Sequence, residues 1–470
     1  MMLLRQNVFD EFNDTRNRIL QMLKGGKSIT SEMIVDLIGA HNPIASYYRA
    51  KYEEYKASDA AIYHRQFEDP TKINNKLHND FIATIVNQSA GYVFGKNIVY
   101  NIDSNKYDNE AVLDDYKEHL EKFVIRNHLY DLDNETGKDM GIYGVAYRLC
   151  YIDVNGEEAV INLKPWETIV LEENEEVFYG MRYYLTYDSD GNKIAYCEWY
   201  DNTNITIFKS ETHLLHTSYQ LTEVRPHMFT TVPVIKFRNN EEEANDYDKV
   251  LTLVDAYDRL ISDSQNELEE FRLAYMVFEG AEIDKETVIA ARQTGAFSLP
   301  VGSTAKFLTK MVDVNTIEHQ RKTLEMNIFR FAQAVNMDDE KFSGGNQTGE
   351  SRKWKLIALE DKAIIKERKF TRGLRQMFKV ICSSFDIRGK HIDYLDIYFT
   401  FRRNLPVDMS YLADVATKLQ GIVSNRTILE SISLVDDVDY ELRLLDAEKS
   451  SLFDDNYLEK QVKEADSNEQ

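Results

Sequence analysis

The chain has 470 residues, of which 43% are hydrophobic and 29% charged, and its formal net charge at pH 7 is −23. That length predicts about three structural units and a substantial buried core. The mean hydropathy is −0.47, and no apolar run approaches the roughly 18 residues that span a bilayer, so no membrane partner is predicted. The N-terminus is not typical of a signal peptide. Proteins that bind DNA tightly usually present a basic face. This acidic chain therefore either does not contact nucleic acid or contacts it without binding it tightly.

The three cysteines, Cys150, Cys197 and Cys382, lie far apart and include no CxxC pair. In a chain of this size the pattern predicts neither a disulfide framework nor a zinc site. It indicates reduced thiols and synthesis in a cytoplasm.

The N-terminal part is predicted to be mostly helical. Residues 1–70 are polar with a helical period, and either Thr30 or Ser31 can serve as the N-cap of a helix within them. The elements predicted next are a helix at 78–95 that ends at Gly95, a strand at 97–102, and helices at 109–124 and 129–144.

Between Val145 and Lys236 the hydrophobic period changes from helical spacing to two. The candidate strands are VAYRLCYI, EAVINL, EEVFYGMRYYLTY, KIAYCEWY, NITIFK and TVPVIKF. Asn155-Gly156 and Asp190-Gly191 are predicted to form type I′ hairpin turns, in which both central residues need φ > 0. Helices followed by an antiparallel β region indicate an α+β fold.

A long amphipathic helix is predicted around 247–271. Its apolar stripe consists of Tyr247, Val250, Leu251, Val254, Tyr257 and Ile261. Its polar face is acidic and consists of Asp248, Asp255, Asp258, Asp263, Glu267, Glu269 and Glu270. The strict separation of the two faces predicts that one side packs while the other meets water or a partner.

The following residues predict an unusual series of elements. A short mixed α/β insert at 274–315 precedes a second helical run at 316–336 and a loop at 337–350 that holds three glycines. The helix predicted from 351 to about 384 is basic: between Glu350 and Lys379 there are ten Lys or Arg against four Asp or Glu. A strand at 392–401, three short helices, the first closed by Gly421, and an acidic tail predicted to be disordered complete the chain.

Sequence motifs for chemistry are weak. Gly25-Gly26-Lys27-Ser28 lacks the first glycine of a phosphate-binding loop and a strand before it. His213 and His216 have no third ligand in frame, which favours two solvated histidines. Asp338, Asp339 and Glu340 are consecutive loop residues that point in different directions, which favours solvated acids over a metal site. For the basic helix we favour pairing with acidic faces of neighbouring subunits over DNA binding.

Five segments in this order resemble the portal proteins of tailed bacteriophages, in particular those of siphophages that infect Gram-positive hosts. They are NKLHNDFIATIVNQSAGYVFGKNIVY (75–100), GIYGVAYRLCYID (141–153), FRNNEEEANDYDKVLTLVDAYDRLISDSQNELEEF (237–271), NMDDEKFSGGNQTGESRKWKLIALEDKAIIKERKFTRGLR (336–375) and YFTFRRNLPVD (398–408). The segment at 237–271 is the closest match and resembles the first stem helix of the family. Residues 160–235 and the tail after Ser450 resemble the family only in their general pattern of residues.

The resemblance implies an α+β portal fold that assembles as a ring. Its regions would be a wing at 1–244 with the long helix and strand at 351–404, a helical stem at 245–273 and 316–336, a small α/β clip at 274–315, a tunnel loop at 337–350, a helical crown at 405–450, and the tail at 451–470.

The resemblance also implies a function. The family forms a ring, usually dodecameric, at one vertex of the virion capsid, made in the host cytoplasm, through which double-stranded DNA enters and leaves without sequence-specific contacts. The implied partners are other copies of the chain, the terminase large subunit, a head–tail adaptor, and capsid and scaffold proteins. ATP hydrolysis belongs to the terminase in such systems, so we expect no enzyme activity, catalytic residue, cofactor or metal.

Two sets of residues are predicted to face the DNA. An acidic channel repels the duplex equally from all sides and lets it slide, so we expect the stem acids Asp255, Asp258, Glu267 and Glu270 to line it. The tunnel loop would approach the duplex through Lys341, Gly344, Gly345, Asn346, Gln347 and Thr348, where glycines allow a close approach and amides can bond phosphate transiently.

Two rival interpretations remain at this point. A metal-dependent enzyme acting on nucleic acid would need carboxylates that converge on one pocket, which the spacing does not favour. Another ring-forming or scaffold virion protein would be much shorter or almost entirely helical.

Overall fold

The computed structural model describes residues 2–103, 106–107, 109–210, 212, 214–215, 217–271, 275–280, 284–286, 289, 301–308, 314–337, 356–404, 409–431 and 438–452. Helices and antiparallel sheets occur together, and the α+β prediction is confirmed. None of the helices in these ranges contains an apolar stretch long enough to cross a bilayer.

The N-terminal part is helical, as predicted. Its elements are α1 (Met2–Lys24), α2 (Ser31–Tyr55), a 3-10 turn (Ala61–His64), α3 (Phe81–Phe94), β1 (Val99–Ile102), α4 (Glu110–Arg126) and α5 (Leu129–Tyr143). The N-cap of α2 is Thr30, whose hydroxyl accepts a hydrogen bond from the Met33 backbone N–H. Ser31, the alternative cap, accepts one from the Tyr219 N–H instead and ties α2 to the β region. Gly95 caps α3, as predicted.

Eight strands follow in two antiparallel sheets. They are β2 (Val145–Ile152), β3 (Glu158–Leu163), β4 (Thr168–Glu173), β5 (Glu176–Tyr187), β6 (Lys193–Tyr200), β7 (Asn204–Lys209), β8 (Gln220–Pro226) and β9 (Val234–Arg238), with a 3-10 turn at Pro165–Glu167. The small sheet has the order β3-β2-β9 and the large one β4-β5-β6-β7-β8. Six of these strands correspond to predicted ones, whereas β4 and β8 were missed.

Both predicted hairpins form, but the predicted turn type is wrong. Positive φ occurs at Gly156 and Gly191 and not at the residues before them. In each turn an aspartate carboxylate accepts the backbone N–H two residues later, as Asp153 does from Asn155 at 2.8 Å. This hydrogen bond holds the first central residue in an ordinary conformation, so the glycine alone needs the left-handed region.

A turn with two left-handed residues occurs elsewhere, at Asn174 and Glu175, which have φ of 51° and 64°. It joins the missed strand β4 to β5. Neither residue is glycine, so the conformation carries a steric cost that the contacts of Glu175, described below, offset.

The small sheet is buried on both faces. Alternate residues of β2 enter two hydrophobic cores: Val145, Tyr147 and Leu149 face the core shared with α1, α2 and α6, while Ala146 and Cys150 face the core shared with α8. Arg148 on the second face is fully buried. Its guanidinium donates to Asp133 at 2.8 Å and lies over the Phe237 ring. The charge is therefore paired, and the guanidinium packs against an aromatic side chain.

The remaining elements are α6 (Leu251–Phe271), β10 (Tyr275–Glu279), β11 (Thr304–Leu308), α7 (Val314–Phe331), α8 (Ile357–Ile387), β12 (Ile397–Thr400), α9 (Met409–Leu419), α10 (Asn425–Ser431) and α11 (Val438–Leu452). Strand β12 pairs with β1, and β10 pairs with β11. Helix α8 comes so close to β9 that a Cβ on Gly373 would lie 2.3 Å from the Phe237 ring. The helix predicted inside the insert, the loop at 337–350 and the tail lie wholly or mostly outside the described residues.

Candidate stem and channel-lining site

Helices α6 and α7 form the pair that the sequence predicts as the stem. The apolar stripe of α6 is buried at Tyr247, Val250, Val254 and Tyr257, although the regular helix begins only at Leu251. Arg321 of α7 places its guanidinium 3.4 Å from the Tyr257 hydroxyl and forms salt bridges with two acids of its own helix. The pair is therefore held by an apolar seam with a polar edge.

The prediction that Asp258 faces a channel is wrong. This residue is only 2% exposed. Its carboxylate accepts hydrogen bonds from His78 Nδ1 at 2.7 Å and from the backbone N–H and side-chain amide of Asn79 at 2.9 and 2.8 Å. The partners lie about 180 positions away in sequence, so the acidic pattern of α6 carried no sign of them.

Asp258 belongs to a polar seam between α6 and the segment 63–79, which we call the strap. Along the strap, backbone N–H groups of every second residue bond side chains of every fourth residue of α6. The pairs are Asn75 N to Asn266 Oδ1 at 2.8 Å, Leu77 N to Ser262 Oγ at 3.0 Å, and Asn79 N to Asp258 Oδ1 at 2.9 Å. Two extended residues cover about 6.6 Å and four helical residues about 6 Å, so the two repeats stay in register.

The strap seam is buried and charged at one end. Ser262 and Asn266 are buried together with Asp258. The hydrogen bond to Asp258 raises the pKa of His78 above its ordinary value, against the effect of burial. At the exposed edge Arg65 bonds Asp263 at 2.7 Å. The seam thus fixes one side of α6 without apolar packing.

The other predicted channel acids keep partial or full exposure. Glu270 is exposed, while Asp255 and Glu267 are half-buried. Partial burial raises the pKa of Asp255. At 100° per residue these three positions span an arc of about 120° on α6. The arc begins next to the positions that bind the strap and extends away from them around the helix. They can therefore share one surface of the helix.

The predicted tunnel-loop residues, Lys341, Gly344, Gly345, Asn346, Gln347 and Thr348, lie outside the described residues, and so do His213, His216 and the acids Asp338, Asp339 and Glu340. The segment Gly25–Ser28 follows helix α1 rather than a strand, in agreement with its rejection as a phosphate-binding loop.

Four cations of α8, Lys362, Lys366, Lys369 and Arg372, bind acids of their own chain, so these four do not serve the predicted pairing with neighbouring subunits. Lys366 is 1% exposed and lies 2.5 Å from the buried carboxylate of Asp246, and Lys362 lies 3.2 Å from the same group. Burial by itself would raise the pKa of Asp246, but the two lysines lower it, to about 2. Burial lowers the pKa of Lys366 to about 8, against the attraction of Asp246.

A second ionic group lies one turn further along α8. Lys369 and Arg372 both contact Glu175, the strained turn residue, and Arg238 of β9 bonds it at 2.9 Å. The backbone carbonyl of Glu175 also accepts from Gln376. Three cations around one carboxylate stabilise the left-handed turn and attach the large sheet to α8.

Asp246, Glu175 and the strap seam are the structural residues that the sequence reasoning missed. Asp246 comes just before α6, and its ion pairs with Lys362 and Lys366 therefore link the start of α6 to α8. A buried aspartate beside an asparagine at the start of a helix looks in sequence like an ordinary cap, so no signal distinguishes it.

Comparisons with known proteins identify the family of the chain. The sequence model of the family described as "Phage portal protein, SPP1 Gp6-like" matches residues 36–452. The portal protein of Bacillus phage SPP1 is 25% identical over 475 residues, covering 93% of this chain and 91% of that protein. The portal protein of Clostridium phage phiCD119 is 24% identical over 435 residues, covering 86% and 91%.

These matches define the class as a structural component of the phage virion, the portal. The chain belongs to the SPP1 Gp6-like phage portal protein family. The resemblance stated from the sequence is thereby confirmed, and with it the function of a portal protein of a tailed phage.

Proposed function

We propose that this chain forms a ring at one capsid vertex, through which double-stranded DNA passes during packaging and ejection. The observation that carries the proposal is the family match over residues 36–452. The pairing of α6 with α7, with the antiparallel pair β10–β11 between them in the chain, supports it, because two long helices with a small sheet between them fit a stem that ends in a clip.

The regions of the chain would have the roles that the corresponding regions have in the family. The helices before residue 144, the two sheets and α8 would form the wing, while α9, α10 and α11 would form the crown. Because α8 is tied through Asp246 and Glu175 to the root of α6 and to the large sheet, wing and stem would move as one body.

The channel lining proposed for the stem consists of Asp255, Glu267 and Glu270, without Asp258. Repeated around a ring, these carboxylates would repel phosphate from every direction and keep the duplex central. Lys366, Lys369 and Arg372 of α8 would not compete for DNA, since Lys366 is buried and the other two bind Glu175.

The loop at 337–350 would form the narrowest part of the channel. Its glycines permit close approach, and its amides can exchange hydrogen bonds with a moving phosphate chain. The β10–β11 tip would dock the terminase large subunit and later a head–tail adaptor, and the wing would meet capsid and scaffold proteins.

The first test is negative-stain electron microscopy of the purified protein together with native mass spectrometry. We expect rings of about a dozen copies with a central hole. If the protein stays monomeric even when scaffold protein is present, the proposal fails.

The second test separates the loop from assembly. Deletion of Gly344–Thr348 should leave rings intact in the same two measurements and reduce the amount of DNA retained in filled heads. Loss of the ring would mean that the loop is a structural contact, and unchanged DNA retention would remove it from the channel.

A further inference from the structure

The α6–α7 pair has one covered side and one open side. On the covered side the strap binds α6, and Phe81 of α3 packs edge-on against Tyr257 of α6 and Phe329 of α7. On the open side a groove of about 500 Å³ runs between the helices. Its walls are Ala256 and Leu260 of α6 and His319, Gln320, Thr323 and Leu324 of α7. Within the described residues nothing fills this groove.

The two sides lie across α6 from each other. Taking 100° per residue, the strap-binding positions 258, 262 and 266 centre about 140° away from the groove positions 256 and 260. A layer of two helices with one uncovered apolar side needs a second layer to bury it.

The strap presents apolar side chains on its outer surface. Tyr63, Phe67 and Leu77 are 38%, 37% and 40% exposed. They lie near one another, because the Tyr63 ring packs on His78 at 5.8 Å, Lys76 donates to the Tyr63 carbonyl, and Arg65 lies under the Phe67 ring at 5.0 Å.

These side chains are held in place before any partner arrives. The backbone beneath Leu77 is bonded to Ser262, and Arg65 is held by Asn74, Asn75 and Asp263. A surface that is already ordered loses little conformational entropy on binding, which favours association.

We propose that the strap of one subunit inserts Phe67 and Leu77 into the α6–α7 groove of the next subunit, and that this contact aligns neighbouring stems. The proposal rests on the ring stated above and adds which surfaces meet. Because the two surfaces differ and lie on opposite sides of one helix, the contact is heterologous and repeats from subunit to subunit until the ring closes.

The distribution of charge also favours the strap of a neighbouring subunit as the segment that fills the groove. Helix α6 carries six acids and one arginine, so a ring would bring many like charges together. The strap at 63–79 carries three Lys or Arg against two acids, and its basic side chains Lys72 and Lys76 are exposed. Placing it between successive α6 helices would separate their acids and bring exposed lysines close to them.

Crosslinking through engineered cysteines tests the contact. The native cysteines are all buried and should not react in the folded protein. A double variant, Leu77→Cys with Thr323→Cys, is treated with a short bismaleimide after rings have formed. We expect most of the monomer to convert into a ladder of covalent multimers.

Matched controls fix the interpretation. Leu77→Cys with Val154→Cys, in which the second position is a fully exposed turn of the β region, should give no ladder. The two single variants, Leu77→Cys and Thr323→Cys, when coexpressed should give covalent dimers and nothing larger. A ladder of equal strength from the control pair would overturn the proposal.

Assembly gives a second measurement. Leu77→Ser should raise the protein concentration at which half the chains form rings by roughly fivefold, since part of a leucine side chain is lost from each contact. Val154→Ser should leave that concentration unchanged. If rings form by native mass spectrometry but neither the ladder nor the shift is seen, the strap contact is wrong and the portal ring stands. If the wild type forms no rings even with scaffold protein present, the proposed ring itself is refuted.

Discussion

The acidic helix α6 and the basic helix α8 use their charged side chains in different ways. Most cations of α8 bind groups of the same chain: Lys366 binds Asp246, Arg372 binds Glu175, and Arg375 donates to the carbonyls of Tyr394 and Ile397. Helix α6 binds its own chain with Asp258 and Asp263 and leaves Glu270 exposed.

The difference teaches that the charge of a helix does not identify its partner. From sequence, α8 looked like the surface for DNA or for a neighbouring subunit, because its excess of cations is the largest in the chain. In the fold those cations attach α8 to the segment before α6 and to the large sheet, and the exposed acids of α6 are the charges left for the proposed channel.

The largest effect is expected at Asp246. Replacement by alanine leaves Lys366 buried without its carboxylate, and breaking a buried ion pair in this way costs about 3–5 kcal/mol of the free energy of unfolding. Urea unfolding followed by tryptophan fluorescence, at one protein concentration, measures the loss. The double replacement Asp246→Leu with Lys366→Met removes both charges and should recover most of it; a single replacement without effect would contradict the role of this pair.

A smaller loss is expected at Asp258. Asp258→Ala leaves the donors of His78 and Asn79 buried without an acceptor, which costs about 2–3 kcal/mol. The matched control is Asp263→Ala on the same helix, which breaks an exposed ion pair with Arg65 and should cost at most about 1 kcal/mol. Hydrogen exchange at the Asn79 amide should accelerate in the first variant and not in the second. Equal losses would mean that the strap is not fixed by its buried seam.

The loss of folding stability at low pH should also depend on the internal ion pairs. The pKa of Asp246 is lowered to about 2 from an ordinary value of 3.8. Its contribution is therefore fully present above about pH 3.8 and is lost as the pH falls toward 2, by about 2 kcal/mol in all. Asp246→Asn should flatten the stability curve between pH 4 and 2. A slope identical to that of the wild type would assign the acid limit to other carboxylates.

The elements of the fold could largely be predicted because they depend on local pattern. Thr30 as a cap, Gly95 as a stop and the period-two strands from Val145 all carry their cause within a few residues. The strands that were missed have a physical reason: β4 ends in consecutive glutamates that bind distant cations, and β8 is exposed along its whole length. Neither strand shows the alternation of hydrophobic and polar residues by which strands are recognised in a sequence.

The site was less predictable because its partners are distant in sequence. Asp246 and Lys366 are 120 positions apart, and Asp258 meets His78 across 180. An amphipathic pattern places Asp258 on the polar face of α6, and that placement is right. It cannot show that another segment of the chain covers part of that face, which is why Asp258 was assigned to the channel together with Glu270.

The smallest effect on stability, and the sharpest on function, is expected at Glu270. Glu270→Lys changes an exposed side chain, so the free energy of unfolding should stay within about 0.5 kcal/mol of the wild type. The ring would, however, gain one cation per subunit at the proposed channel and should bind duplex DNA at low salt, with affinity that falls as salt rises. Glu223→Lys makes the same charge change on the exposed strand β8, which is distant from α6 in the chain. If both variants bind DNA equally, the total charge of the ring governs binding, and Glu270 does not lie in the channel.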